Sequence, residues 1–155
     1  MKFLCDEMLQ RLGNWLRAAG YDTVIEVDGR SDYEILRQAI DEGRYLITRD
    51  RKLMEYRRAA GTVILLPEDT LEACIKSLSE QLPIDWHFNP FMRCTVCNTK
   101  LQPATQQHIA SLPETLNQRI AQAFYCPSCE QVYWEGSHVK RMRAQLEQWH
   151  MLYNS

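Results

Sequence analysis

The sequence predicts an α/β fold in which a parallel sheet, flanked by helices, is followed by a small zinc-binding module. Two observations carry this prediction. Short apolar segments alternate with amphipathic helical patterns over residues 1–83, and two C-x-x-C pairs follow them. Alternating strands and helices form parallel sheets with right-handed crossovers and helices on the faces. The chain has 155 residues, enough for one such core and an appended module.

The predicted strands are short apolar segments, each ended by a polar or turn-forming residue. Their length and their aliphatic, β-branched and aromatic residues suit strands of a covered parallel sheet. In chain order, the predicted strands are residues 2–5, 23–27, 45–48 and 62–66.

The predicted helices lie between and after these strands, because their apolar residues recur at intervals of three and four. Gly43 supplies a C-terminal stop for the second of them. Ser31 with Glu34, and Asp69 with Glu72, have the spacing of capping boxes at helix starts. In chain order, helices are predicted over residues 8–19, 31–42, 53–60 and 69–82.

The remainder of the chain predicts a linker, a ribbon and a last helix. The linker has no clear period and is rich in proline and aromatic residues. A short helix is expected around residues 114–123 and a strand at 131–135, and Ser137 is expected to cap the last helix. The predicted division is a core at 1–83, a linker at 84–92, and a zinc ribbon with C-terminal helix at 93–155.

Two knuckles of paired cysteines predict a structural zinc site. Four thiolates would leave zinc fully coordinated, with no open position for chemistry. Three disulfides in a secreted protein are the alternative for six cysteines, but the paired spacing favours metal thiolates. Cys5 and Cys74 lie in core patterns and are expected to be small buried hydrophobes. The predicted zinc ligands are Cys94, Cys97, Cys126 and Cys129.

Composition bounds the location and the partners. The net charge of −2 argues against a broad basic coating for non-specific nucleic-acid binding, although local basic clusters remain available. The start of the chain lacks the pattern of a secretory signal, and no long apolar run predicts a membrane span. A cytoplasmic protein that does not enter membranes is expected.

Three aspartates follow the predicted strands closely. Asp6 comes directly after the first strand, Asp32 lies in the first turn of the helix after the second, and Asp50 is two residues beyond the third. The carboxyl ends of parallel strands meet at one edge of a sheet, so these acids are expected to share a pocket. Asp32 also suits a helix N-terminus without any further role, and for Asp69 that reading is favoured.

Three segments of the sequence resemble the mut-seven C-terminal RNase family. They are FLCDEML at residues 3–9, with the helix behind it, TRDR at 48–51, and the knuckle pairs ending in YWEGSH at 133–138. The resemblance extends over nearly the whole chain. It implies a PIN-like α/β nuclease core that gathers acids around Mg²⁺ or Mn²⁺ and hydrolyses RNA.

Carried over by position, the resemblance gives metal-binding and catalytic roles to Asp6, Asp50 and Asp32. Such sites gather about four acids, and the resemblance leaves the fourth open. The candidates for it are Glu7, Asp28 and Asp69.

Basic residues near the acids and near the last helix are candidate substrate contacts. Arg49 and Arg51 flank Asp50, Arg11 and Arg17 lie on the helix after Asp6, and positive charge gathers where the last helix starts. Guanidinium groups suit phosphate, and free N–H groups at a helix start attract anions. Ordinary solvated charges remain the alternative for each. The candidate substrate-binding residues are Arg11, Arg49, Arg51, His138 and Arg141.

The function expected from these residues is metal-dependent hydrolysis of phosphodiester bonds in single-stranded RNA by an acidic Mg²⁺ or Mn²⁺ site. DNA stays open as a substrate, because no group that reads the 2′-hydroxyl is identified. The alternative is a non-catalytic RNA-binding or adaptor module that uses the ribbon and the basic final helix. A receiver domain fits poorly because the fourth strand ends in Leu66 and Pro67, and position 8 is Met, which excludes a D-x-D phosphatase. The sequence does not predict an oligomeric state.

Overall fold

A four-stranded parallel sheet with flanking helices forms the main body of the protein, as predicted. The computed structural model describes residues 1–66, 70–118, 120 and 122–154. The strands are β1 at Lys2–Cys5, β2 at Asp22–Ile25, β3 at Tyr45–Thr48 and β4 at Val63–Leu65. They lie in the order β2-β1-β3-β4, and each neighbouring pair is parallel.

Three α-helices connect and follow these strands. The predicted capping box of Ser31 and Glu34 is formed at the start of the second helix, and Gly43 ends that helix with a φ of 66°. Such a positive φ is accessible to glycine at little cost. The helices are α1 at Gln10–Ala18, α2 at Asp32–Glu42 and α3 at Leu71–Gln81.

Short 3₁₀ helices replace α-helix at two predicted positions. The first predicted helix begins as a 3₁₀ helix at Glu7–Leu9, and the helix expected over 53–60 is two 3₁₀ helices, Arg51–Glu55 and Arg57–Ala59. Tyr56 separates the last two because its backbone is extended, with φ −72° and ψ 137°. An extended residue interrupts the hydrogen bonding that an α-helix needs.

Two predicted caps differ from the structure. The side chain of Thr70, and not Asp69, caps α3 by accepting a hydrogen bond from the Ala73 amide at 3.2 Å. Asp69 itself lies outside the described residues. Ser137 is the first residue of the last helix, and Gly136 occupies the capping position without a side-chain cap.

The C-terminal part contains an antiparallel sheet, two short helices and one long helix. The short helix expected at 114–123 is a single turn. The elements are β5 at Gln102–Pro103, α4 at Gln106–Ala110, α5 at Glu114–Asn117, β6 at Phe124–Cys126, β7 at Gln131–Tyr133 and α6 at Ser137–Tyr153. The strands lie in the order β5-β6-β7. Among the described residues, no helix is long and apolar enough to cross a membrane.

Tryptophans join α6 and the segment 84–92 to the α/β core. Trp86 and Trp149 are buried, with ring centroids 5.4 Å apart, and Trp15 of α1 meets Trp149 at 4.8 Å, both edge to face. Trp149 Nε1 donates to Glu72 Oε2 at 3.1 Å, and Trp86 Nε1 donates to Ser79 Oγ at 2.9 Å. Buried indoles need such partners for their N–H groups, so these contacts fix both rings on α3.

Arg17 of α1 ties the first cysteine knuckle to β2. Its side chain is buried, and its Nε donates to the Thr23 carbonyl at 2.9 Å. Its Nη1 donates to the carbonyls of Thr95 at 2.9 Å and Val96 at 3.2 Å. Arginine suits this position because its planar fork offers several donors in fixed directions.

Asn98 adds a second set of bonds at the same place. Its Oδ1 accepts from the Thr23 amide at 2.9 Å, and its Nδ2 donates to Asp22 Oδ1 at 2.7 Å. Arg44 Nη1 also donates to Asp22 Oδ1, at 2.8 Å. The positive φ of Asn98, 74°, is tolerated by asparagine better than by most residues. The knuckle is therefore held against the start of β2 by a polar network.

Replacing Arg17 by methionine is expected to destabilise the protein by about 2–4 kcal/mol, because three carbonyls lose their charged donor in a buried setting. Urea unfolding of the zinc-loaded protein measures this. Arg37→Met is the matched control, since the Arg37–Asp41 pair is 3.7 Å long and more than half exposed on both sides, and should cost less than about 0.5 kcal/mol. Equal effects of both variants would contradict the role given to Arg17.

Candidate active site

The strand order of the sheet reverses direction beside β1, and this is the topology at which open parallel sheets bind ligands. β1 pairs with β2 on one side and with β3 on the other. In open parallel sheets, ligands bind where chain connections diverge from two such neighbouring strands. Asp6 directly follows β1, and Asp50 follows β3 by two residues. The sheet therefore brings both acids to the position where a ligand is expected.

Asp6 is held by hydrogen bonds on both of its carboxylate oxygens. It caps the 3₁₀ helix Glu7–Leu9, where its Oδ1 accepts from the Met8 amide at 3.0 Å. Its Oδ2 accepts from Thr48 Oγ1 at 2.6 Å. Each oxygen keeps a further lone pair, so the carboxylate is oriented but still able to bind a cation.

Thr48, at the end of β3, connects Asp6 to Asp50. The Asp50 amide donates to Thr48 Oγ1 at 3.0 Å, while the same hydroxyl donates to Asp6. Asp50 Oδ1 in turn accepts from the Lys52 amide at 2.9 Å, as cap of the 3₁₀ helix Arg51–Glu55. The Thr48 side chain is fully buried. The sequence analysis did not predict that Thr48 would connect the acids. The signal available in the sequence is a hydroxyl residue at the end of a strand, two positions before an acid.

Asp32, the first residue of α2, lies in the electrostatic field of the other acids. The pKa of its carboxyl is raised by burial, then by the negative charge of Asp50 and a hydrogen bond to it, with Asp6 acting further in the same direction. Lys52 opposes this shift. The interaction with both Asp50 and Asp6 means that the structure brings the three predicted acids together.

These acids differ from other partly buried carboxylates in having no ion pair. Within the described ranges, Asp6, Asp32 and Asp50 form no ion pair with the side chain of a lysine or arginine. Asp22, by contrast, is paired with Arg44 at 2.8 Å and Glu26 with Arg30 at 2.6 Å. Negative charges gathered without a protein cation attract cations from solution. The acids are more widely spaced than the cysteines, whose ligand atoms all lie within 4.8 Å of one another.

Glu26 is a buried acid at the end of β2 that sequence reasoning missed. Its amide donates to the Cys5 carbonyl at 2.8 Å, which places it beside the end of β1. Its carboxylate accepts from Arg30 and from the Asp28 amide, and these bonds lower its pKa although burial raises it. Since Arg30 neutralises it, Glu26 orders the loop before α2. Of the candidates for a fourth acid, Glu7 and Asp28 are exposed and Asp69 lies outside the described residues.

The predicted cations fall at different places. Arg49 is partly buried and Arg51 exposed beside Asp50, and Arg11 is exposed on α1. The described residues include no ion-pair partner for these three. His138 and Arg141 are exposed on the first turns of α6. The expectation that Arg17 borders the acids is wrong, because Arg17 is buried against the cysteine knuckle.

The four predicted zinc ligands form one cluster. Cys94 and Cys129 sulfurs are 3.8 Å apart, and Cys97 and Cys126 sulfurs are 3.5 Å apart. A tetrahedral site with zinc–sulfur bonds of about 2.3 Å needs sulfurs separated by about 3.8 Å. These side chains fit a structural zinc ion with four thiolate ligands.

Hydrogen bonds favour the thiolate at Cys97, whereas burial raises the pKa of Cys126 and hydrogen bonding with Cys97 raises the pKa of Cys129. Burial raises the pKa of Cys97, but hydrogen bonds with the side chain and backbone of Thr99 and with neighbouring cysteines lower it to about 6. The Tyr133 hydroxyl lies 3.0 Å from Cys94 Sγ. Such outer contacts orient metal ligands.

The cysteine cluster and the acids lie at opposite edges of the parallel sheet. Asn98 bonds to Asp22 and Thr23 at the start of β2, which pair with the start of β1. The Thr95 carbonyl accepts from Arg17, which also donates to the Thr23 carbonyl. Asp6 follows the end of β1, and β2 is four residues long, about 13 Å. The cysteine cluster therefore lies away from the acids.

A comparison with protein families finds a match over most of the chain. The family model described as the Mut7-C RNAse domain matches residues 1–146. The chain belongs to this family. Searches of curated proteins and of solved structures each found no match. The Mut7-C description indicates a ribonuclease-like function, and it confirms the family that the sequence motifs predicted.

Thr48→Val, which keeps the shape but removes the hydroxyl, should leave Asp6 Oδ2 and the Asp50 amide without their shared partner. We expect Mn²⁺ binding at the acids to weaken about 10- to 100-fold, as for other groups that orient metal ligands. Calorimetric titration of zinc-loaded protein measures the affinity. Thr48→Ser keeps the hydroxyl and should retain most of the binding. A Thr48→Val protein that binds Mn²⁺ like the wild type would remove Thr48 from the site.

Asp50→Asn should lower the pKa of Asp32, because it removes a negative charge and alters a hydrogen bond that both raise it. Since the folded-state pKa of Asp32 lies above its unfolded value, Asp32 reduces stability as pH rises from about 3.9 through the folded pKa. Carbon-detected NMR titration of the Asp32 carboxyl measures the shift. Asp41→Asn, on the exposed far part of α2, should leave it unchanged. An unchanged Asp32 pKa in Asp50→Asn would show that the two carboxyls do not interact.

Proposed function

We propose that this protein is a metal-dependent ribonuclease that hydrolyses phosphodiester bonds of single-stranded RNA at the carboxyl edge of the parallel sheet. The observation that carries the proposal is the meeting of Asp6, Asp32 and Asp50 without any ion-pair partner in the described residues. Membership of the Mut7-C RNAse domain family supports RNA as the substrate.

Asp6, Asp50 and Asp32 are the residues that would hold Mg²⁺ or Mn²⁺. Hard divalent cations prefer carboxylate oxygens, and Mg²⁺ keeps several of its waters, so widely spaced acids suit it. Such an ion, when bound, lowers the pKa of water and stabilises charge on the phosphate. The bonds from Thr48 and from the Met8 and Lys52 amides fix the oxygens before substrate arrives.

Cations around the acids would position the RNA. Arg49 and Arg51 flank Asp50, and Arg11 follows the 3₁₀ helix that Asp6 caps. Guanidinium groups bind phosphate oxygens in pairs and reduce the repulsion between RNA and the acids. His138 and Arg141 would contact RNA only at a distance from the acids, since α6 follows the zinc ribbon.

The division of labour in the chain follows from this proposal. Residues 1–83 carry the acids, and residues 84–92 link them to the C-terminal part. Residues 93–155 carry the zinc centre and the final helix, which aid stability or substrate capture. Thiolate ligands persist in reducing compartments, which favours a cytoplasmic location. The non-catalytic RNA-binding module remains the competing function, in which the acids have no role.

The double variant Asp6→Asn/Asp50→Asn should lose cleavage of labelled single-stranded RNA by more than about 100-fold, because two metal ligands lose their charge. The assay compares zinc-loaded protein in three conditions: without added metal, with Mg²⁺ and with Mn²⁺. A DNA strand of the same sequence tests whether the protein prefers RNA. Circular dichroism checks that each protein is folded.

Glu80→Gln/Glu147→Gln is the charge-matched control, since both residues are exposed and neither is in an ion pair of the described chain. It should cut RNA like the wild type, and only with added metal. Equal activity, or equal inactivity, of wild type and Asp6→Asn/Asp50→Asn would overturn the nuclease proposal in favour of the binding module.

A further inference from the structure

We propose that single-stranded RNA is bound along a tyrosine–arginine groove between α2 and the 3₁₀ segment 51–59, with a base stacked on tyrosine and phosphates on arginine. This inference rests on the proposed nuclease function, because it names the surface that leads substrate to the acids. None of the groove residues was predicted from the sequence to contact substrate.

The groove is a surface cavity of about 390 Å³ between two elements. One wall comes from α2, where residues spaced by three or four lie on the same face. The other wall comes from residues 56–58. Leu36 and Ile40 supply an apolar floor, and the polar lining consists of Tyr33, Arg37, Asp41, Tyr56, Arg57 and Arg58.

The groove begins where the acids lie. Asp32 is the first residue of α2, and Tyr33, the next residue, lines the groove. Asp50 caps the 3₁₀ helix that leads into the opposite wall. From Tyr33 to Asp41 the wall of α2 is about 12 Å long. A strand lying in the groove would therefore have one end at the acids.

The arginines of the groove are available to an anion. Arg57 and Arg58 are exposed, and the described residues include no hydrogen-bond acceptor or ion-pair partner for either. Arg37 has only a long, exposed contact of 3.7 Å with Asp41. Three arginines against one aspartate make this lining positive in a chain whose net charge is −2. Local positive charge of this kind attracts the phosphate backbone.

The tyrosines of the groove offer free ring faces. Tyr33 is 58% exposed and Tyr56 is 39% exposed. Neither ring takes part in the aromatic contacts of the described residues, unlike the exposed Phe88, which stacks on Tyr21. Exposed aromatic rings beside cations are the usual platform for unstacked bases of single strands, with little dependence on base identity.

A second cavity, beside the zinc ribbon, is a weaker candidate for the same role. It has a volume of about 450 Å³ and includes Trp134 and His138 in its lining. Its Arg143 is already engaged, by Glu135 at 2.5 Å and by the Phe91 ring at 5.0 Å. The ribbon is also held at the sheet edge away from the acids. Charge and position therefore favour the groove.

Binding of a fluorescent 20-nucleotide single-stranded RNA tests the groove, measured by anisotropy in the Asp6→Asn/Asp50→Asn background so that no cleavage occurs. Tyr33→Ala should weaken binding about 5- to 100-fold, and Tyr33→Phe should retain it, because stacking needs the ring and not the hydroxyl. Arg57→Ala/Arg58→Ala should reduce the slope of log K against log salt by about 1.4, since each phosphate contact on a single strand contributes about 0.7.

Lys2→Ala/Lys76→Ala is the charge-matched control, because both lysines are exposed and lie on other elements. It should leave the salt slope unchanged. RNA binding that is unaffected by Tyr33→Ala and Arg57→Ala/Arg58→Ala, or that falls equally in the lysine control, would overturn the groove. The cleavage assay tests the nuclease proposal separately. If the wild type cuts RNA while the groove variants bind RNA normally, the nuclease proposal stands and only the groove is overturned.

Discussion

Parallel pairing of β1 with both β2 and β3 is the constraint on which the rest of the structure depends. Because all strands point the same way, every chain segment that leaves a strand does so at one edge of the sheet, and every segment that enters does so at the other. Asp6 is consequently a neighbour of Thr48 and Asp50, although it lies 42 residues before Thr48. The same pairing leaves the entering edge free for the cysteine knuckle.

The charged side chains at the two edges of the sheet differ in whether they have partners. At the entering edge, Asp22 is satisfied by Arg44 and Asn98, and Arg17 satisfies three carbonyls, so the polar groups stabilise the contact between sheet and ribbon. At the leaving edge, the carboxylates have no ion-pair partner among the described residues, and burial together with the negative charge of Asp50 raises the pKa of Asp32 against the opposing effect of Lys52. Clusters left unfavourable in this way are typical of sites whose ligand supplies the missing charge.

Local pattern predicted the elements, and long-range contacts determined what it missed. The strands, the Ser31 capping box, the cysteine cluster and the nearness of the three acids follow from periodicity, spacing and parallel topology. The roles of Thr48 and Arg17 do not, because both act through partners far along the chain, as in the bond from Arg17 to Thr95. The prediction of one helix over 53–60 was wrong because an extended residue, Tyr56, divides this segment.

Burial of Trp149 within the α/β core has a consequence for biosynthesis. Leu146 and Trp149 belong to the same buried cluster as Phe3 and Leu16, so the core of the sheet combines residues from the first and the last helices of the described chain. A ribosome releases the N-terminal segment long before it has made α6. The nascent chain would then expose the apolar surfaces of α1 and α3 that the tryptophans cover, and native packing must wait until translation has passed residue 149. A fragment that ends before the ribbon should accordingly need a chaperone more than a chain that includes α6 does.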